Sequence, residues 1–291
     1  MNTTISNDRL SVTVSDFGAQ LQSIRLDGIE RLWQGDEAIW GERSPVIFPF
    51  VGRVKNGKYT FRGKEYPSEG PHGFARRSTF ALVDSAEDYL TYRLTSSEAT
   101  KKEYPFDFIL DVTYRIEGNT LIQSFTVENT DCEPLYYSCG GHPGFLVPPT
   151  DKTVFEDWSL EFAEGETLNQ ILLDGLFMSR NVVPCKFAKG NVIPLTHAVF
   201  DEEAIILTGL KKGMVTLKNN KTAEKVTVDA SQFQYLAFWQ AMGCDAPYVC
   251  VEPWNGLPSD SKDPEDLTVK RDLRILDPQK RETCSVSYTL D

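Results

Sequence analysis

Apolar and polar residues alternate one by one along much of this chain. In Arg9-Leu10-Ser11-Val12-Thr13-Val14 every second position is apolar, as on a strand whose side chains point alternately to core and water. Residues 21–25 continue the pattern, and 109–116 and 121–127 form two more runs split by Glu117-Gly118-Asn119. Gly and Asn accept the positive φ of a tight reversal, so this pair is predicted to be a hairpin. Further strands are predicted over 204–208, 214–217, 225–228, 235–240, 248–251 and 284–290, all rich in β-branched and aromatic residues. Apolar residues nowhere recur at i, i+3, i+4 and i+7 over the ~10–12 residues of a convincing amphipathic helix, so helices should be few and short. Many short strands without intervening helical stretches predict an all-β fold, a large antiparallel β-sandwich or barrel. With no Gly/Ser or Pro linker and no repeat, residues 1–291 read as one continuous domain.

Charge narrows the partners. The 291 residues carry 30 Lys+Arg against 42 Asp+Glu, a formal net charge of −12, which lacks the basic face that sequence-independent nucleic-acid binding needs and disfavours anionic surfaces. No nucleic-acid or membrane partner is expected. At 41% hydrophobic and 25% charged the composition is that of an ordinary globular protein, and no segment approaches the ~20 apolar residues of a membrane span. The start, Met1-Asn2-Thr3-Thr4-Ile5-Ser6-Asn7-Asp8, lacks a secretory pattern, so a cytoplasmic location is expected. The six cysteines, none in a C-x-x-C pair, read as free thiols. Three histidines leave little material for a zinc site, and no metal is expected.

Two of those histidines have unusual neighbours. His142 lies in Gly140-Gly141-His142-Pro143-Gly144-Phe145 and His72 in Gly70-Pro71-His72-Gly73-Phe74. Sharp turns of this composition can lift a polar side chain over a cleft, or simply bond it to a neighbouring loop. His197 has no such setting and reads as structural. Glu252 follows the β-branched run Tyr248-Val249-Cys250-Val251 and precedes Pro253-Trp254. A carboxylate at the end of a buried strand is partly desolvated, which raises its pKa toward that of a general base; a salt-bridged surface Glu is the plainer alternative. Arg53, among aromatics after Gly52, could present fixed donors to sugar hydroxyls or snorkel past the core. Trp239 and Trp254 could offer an apolar platform to a sugar ring or be core. No phosphate loop, dinucleotide turn or nucleophile elbow is present, which argues against nucleotide-driven and α/β-hydrolase chemistry.

Taken in order, Phe50-Val51-Gly52-Arg53, Pro71-His72-Gly73-Phe74, Gly141-His142-Pro143-Gly144-Phe145 and Glu252-Pro253-Trp254-Asn255-Gly256 resemble the aldose 1-epimerase (galactose mutarotase) family, and within it the shorter LacX-like branch. The resemblance implies a supersandwich of antiparallel sheets with a monosaccharide in an open cleft. It also implies Glu252 as general base, His142 as general acid, His72 as a partner of the ring oxygen or a hydroxyl, and Arg53 as a hydroxyl donor. One position departs from the pattern: Glu203 stands where the LacX-like members usually carry a hydroxyl-binding Asp, with Asp201 as the alternative.

To interconvert anomers, one group must take the C1 hydroxyl proton while another protonates the ring oxygen, so no cofactor is needed. A nearby Glu252 carboxylate is expected to raise the pKa of His142. Two further readings stay open: a sugar-binding protein without catalysis, and an epimerase of sugar phosphates, which Arg53, Arg76 and Arg77 would favour. The sequence leaves open whether the chain forms a homodimer.

Overall fold

The computed structural model describes residues 1–291 apart from Glu203, Asp263 and the side chain of Arg180. Two large antiparallel sheets dominate. The nine-stranded sheet runs in the order Val192–Pro194, Trp158–Phe162, Met214–Asn219, Lys225–Asp229, Arg281–Leu290, Thr120–Asn129, Phe108–Glu117, Tyr89–Thr95, Ala81–Ser85. The other runs Phe177–Pro184, Asn169–Asp174, Ile205–Thr208, Tyr235–Trp239, Tyr248–Asn255, Cys139–Gly141, Val46–Ile47, with Gly144–Leu146 also paired to Tyr248–Asn255. A four-stranded sheet formed by the first 30 residues packs into the same core through Ile5, Leu10, Val12, Val14 and Ile24. The chain is therefore the all-β antiparallel sandwich that its alternation predicts, and among the described residues the helical segments are 3-10 turns of three or four residues. Among the described residues no helix is long and apolar enough to cross a membrane.

The predicted hairpin is present: Phe108–Glu117 pairs with Thr120–Asn129 in unbroken register from Phe108↔Asn129 to Glu117↔Thr120. Arg281–Leu290 adds to it, and its inward residues Cys284, Val286, Tyr288 and Leu290 alternate with half-buried ones. All six cysteines are free thiols. Cys139 and Cys284 face each other across the sandwich with their sulfurs 3.4 Å apart.

One strand is longer than its hydrophobic run suggests. Tyr248–Asn255 continues through Glu252 and Pro253 to Asn255 and is buried at every position, so Glu252 lies inside a strand rather than at its end. A strand covered on both faces carries no polar alternation, so the pattern that marks other strands cannot mark where this one stops. Close approach of its neighbour requires glycine: a Cβ on Gly140 would sit 2.3 Å from the Pro253 carbonyl oxygen. Gly140→Ala should therefore displace the His142 segment and cost about 1–3 kcal/mol. Thermal unfolding should show a Tm several degrees lower, and an unchanged Tm would contradict the packing described here.

Candidate active site

The face of Tyr248–Asn255 turned away from the main core builds the floor of a cleft. Val249 and Val251 belong to that core, while Tyr248 and Cys250 pack with Trp33, and Trp254 with Ile47 and Ile206. Glu252 shares this second face by the two-residue period. Register brings His142 to it. Gly140 pairs with Trp254 and Gly144 with Cys250, so His142, midway between them, faces Glu252. The two meet with Nε2 of His142 3.2 Å from Oε2 of Glu252. The same oxygen accepts a 3.2 Å hydrogen bond from the Trp254 indole. Opposite Glu252 on the other flank stands Ala237, itself fully buried.

A second wall comes from two loops clasped together. The His72 backbone N–H donates to the Gly52 carbonyl at 2.8 Å, and the Gly52 N–H donates to Nδ1 of His72 at 3.2 Å. His72 is held at φ 65, and Gly73 beside it at φ 70 has no room for a side chain, a Cβ there lying 2.3 Å from the Phe48 carbonyl oxygen. The clasp places the His72 ring edge-on to His142, centroids 5.2 Å apart. Arg53 is exposed at the cleft mouth, its backbone carbonyl fixed by the Ser259 N–H at 3.0 Å. Trp40 and Trp239 pack their rings against His142 at 5.2 and 5.7 Å. The cleft encloses about 460 Å³.

Burial sets the electrostatics. It pushes the Glu252 carboxyl well above the usual carboxylate range, with the Trp254 hydrogen bond and the charge of Arg76 opposing it only in part. It pushes His142 well below the ordinary imidazole value, helped by His72 and Arg76. The expected rise of His142 beside Glu252 is therefore not found: in an enclosed site the loss of solvation outweighs the partner's attraction, and both groups favour their neutral forms. His72 is lowered to about 4 by burial and then by Arg53. His72, His142 and Glu252 offer ligand atoms within 4.8 Å of one another, a spacing a cation could use. The donor set does not suit one, because Nδ1 of His72 accepts a backbone N–H, leaving the ring proton on Nε2 where a metal would need a lone pair.

The family described as aldose 1-epimerase matches residues 1–265. The chain belongs to the aldose 1-epimerase family. Its curated relatives include the plasmid-encoded LacX protein of Lactococcus lactis subsp. lactis, 31% identical over 266 residues that cover 88% of each chain. Among solved structures, a galactose mutarotase related enzyme from Lactobacillus acidophilus superposes with a TM-score of 0.95 at 32% identity, covering 100% of this chain and 97% of that one. A galactose mutarotase-like protein from Lactobacillus casei gives 0.93 at 29%, covering both chains fully. The family is one of sugar isomerases, so an enzyme of the isomerase class acting on a carbohydrate follows at that level.

For an aldose 1-epimerase family member, the sequence motifs converge well. Arg53, His72, His142, Trp239, Glu252 and Trp254 all line the one cleft. Trp254 differs from its expected role as a platform: it is only 4% exposed and acts as a hydrogen-bond donor to Glu252. Glu203 lies outside the described residues, and Asp201 is exposed in the turn after His197–Phe200 and is not among the residues that line the cleft. His197 is structural as read, stacked 4.0 Å from Phe155 and bonded to Gln240 at 3.0 Å. Trp40 and Glu42, also in the lining, were not legible: they sit in a loop without periodicity, far in sequence from every motif but the Arg53 one.

The depressed His72 gives a direct check. Its neutral form contributes stability in full above its unfolded value of 6.5, and that contribution is lost as pH falls toward about 4, because the unfolded chain takes up a proton the native ring refuses. NMR of the ring should show a midpoint near 4 and the Nε2–H tautomer at neutral pH. A midpoint at 6.5 would show the ring to be solvated rather than buried.

Proposed function

We propose that this protein is an aldose 1-epimerase that interconverts the α and β anomers of an aldohexose such as galactose or glucose by general acid/base ring opening and closure. One observation carries the reading: a buried carboxyl and a buried imidazole in contact, 3.2 Å apart, on the floor of a cleft.

Mutarotation needs a group that accepts a proton from the C1 hydroxyl and another that donates one to the ring oxygen O5. Burial makes Glu252 and His142 favour carboxylic acid and neutral imidazole, which together hold the same number of protons as carboxylate and imidazolium. The two states differ by one proton crossing one hydrogen bond. A sugar whose C1 hydroxyl faces Glu252 and whose O5 faces His142 supplies polar partners to both charges, and so stabilises the ionised state that reacts. Glu252 then takes the hydroxyl proton, His142 protonates O5, and the C1–O5 bond opens to the aldehyde. Rotation about C1–C2 presents the other carbonyl face, and the reverse transfers close the ring. His72, with Nε2–H as a donor, steadies O5 or a neighbouring hydroxyl; Arg53 donates to hydroxyls, and the Trp239 ring offers an apolar surface to the pyranose. Each proton transfer of this kind is worth about 10²–10⁴-fold.

A neutral sugar is favoured over a sugar phosphate by the state of the arginines. Arg77 is bound to Glu103 and to the carbonyls of Glu69 and Gly73, and Arg76 to Glu42. Arg53 is left as the arginine at the cleft with no ion-pair partner among the described residues.

Polarimetry on freshly dissolved α-galactose and α-glucose tests the reading. Wild type should accelerate mutarotation, while Glu252→Gln and His142→Asn should each lose about 10²–10⁴-fold with the fold intact by circular dichroism. Full activity in the Glu252 variant would remove the proposed base. Tight sugar binding by a wild type that gives no acceleration would make this a sugar-binding protein instead.

A further inference from the structure

We propose that the Arg76–Glu42 ion pair on the cleft wall fixes the pH range over which Glu252 and His142 hold their shared proton, which makes Arg76 and Glu42 positioning residues of the reaction. The inference rests on the acid/base reading of that pair. Nε of Arg76 donates to Oε1 of Glu42 at 2.9 Å, and a second guanidinium nitrogen donates to Oε2, a two-pronged contact that fixes the plane of the fork. The third nitrogen reaches the Pro71 carbonyl at 3.4 Å, next to His72. Both side chains line the cleft, with only 21% and 28% of their surface exposed.

A guanidinium does not titrate near neutrality, and one so poorly solvated acts over a distance that bulk water would screen. It lines the same cleft as Glu252 and His142, and its positive charge acts to lower the pKa of both. The other groups around the pair do not supply such a charge. His72 is neutral above about 4, Arg53 bears on His72, and Tyr248 and Cys250 beneath the carboxyl are pushed further toward their neutral forms by burial. Arg76 is thus the permanent positive charge acting on both members of the pair among the described residues.

The consequence is a shift of the whole pH profile. Activity requires one shared proton: a second proton at low pH disables the base, and loss of the shared one at high pH disables the acid. A positive neighbour opposes the second proton and eases loss of the first, so it moves both limbs to lower pH together. Glu42 limits that effect in two ways. It offsets part of the charge, and it holds the fork so that it cannot turn and capture the Glu252 carboxylate.

Opposite displacements test this. In pH profiles of mutarotation, Arg76→Met should move both limbs up by about one pH unit and Glu42→Gln should move both down. NMR titration of the His142 ring in the sugar-free protein should move in the same two directions. Both variants shifting the same way, or losing rate with the limbs in place, would mean a merely structural role and overturn the inference; if Arg76→Met does not fold, an unmoved profile in Glu42→Gln does so alone. A wild type without mutarotase activity would sink the proposed function, yet the His142 titrations would still decide the electrostatic inference.

Discussion

A carboxyl and an imidazole buried against each other are the constraint around which this molecule is arranged. Neither group is comfortable without water, and removing either would leave the other unsatisfied. The contact persists because strand register imposes it: Gly140 opposite Trp254 and Gly144 opposite Cys250 leave His142 nowhere to face except Glu252. The sandwich provides the rigidity this demands. Val249 and Val251 anchor the floor strand in the main core, while the alternate residues Tyr248, Cys250 and Trp254 build a different surface on the other side.

Around that contact the protein has few loose parts. The indole of Trp254 fixes the carboxyl oxygen, the rings of Trp40 and Trp239 confine the imidazole, and the Gly52 N–H holds the ring of His72. Glycine is present where the backbone approaches closely, as at Gly140 and Gly73, while His72 itself holds a left-handed φ of 65. Residues in such settings are more costly to the fold than ordinary loop residues, and this is the pattern expected of a site whose geometry matters more than its contribution to stability.

Proton location and permanent charge are separate devices here. The buried pair is close to neutral overall, so on the proposed acid/base reading a polar sugar draws out its charged form. The ion pair on the wall is permanently charged and half-buried, so its field is present with or without sugar.

The alternation of side chains determined the fold class, the hairpin at Gly118 and the scarcity of helix, because a strand with one wet face writes its period into the chain. The short Gly, Pro and His motifs likewise marked four of the segments that build the cleft, since unusual backbone restricts residue choice locally. The sequence did not disclose that Tyr248–Asn255 runs on past Glu252, because a strand buried on both faces has no polar period to read. Nor did it disclose the direction of the His142 titration, which follows from how completely the surroundings exclude water rather than from which residue is near. Trp40 and the clamp of Arg76 by Glu42 arise from loops that meet only in three dimensions. Periodicity is a local property and survives in the linear chain; desolvation and ion pairing depend on distances that exist only once the sheets have packed.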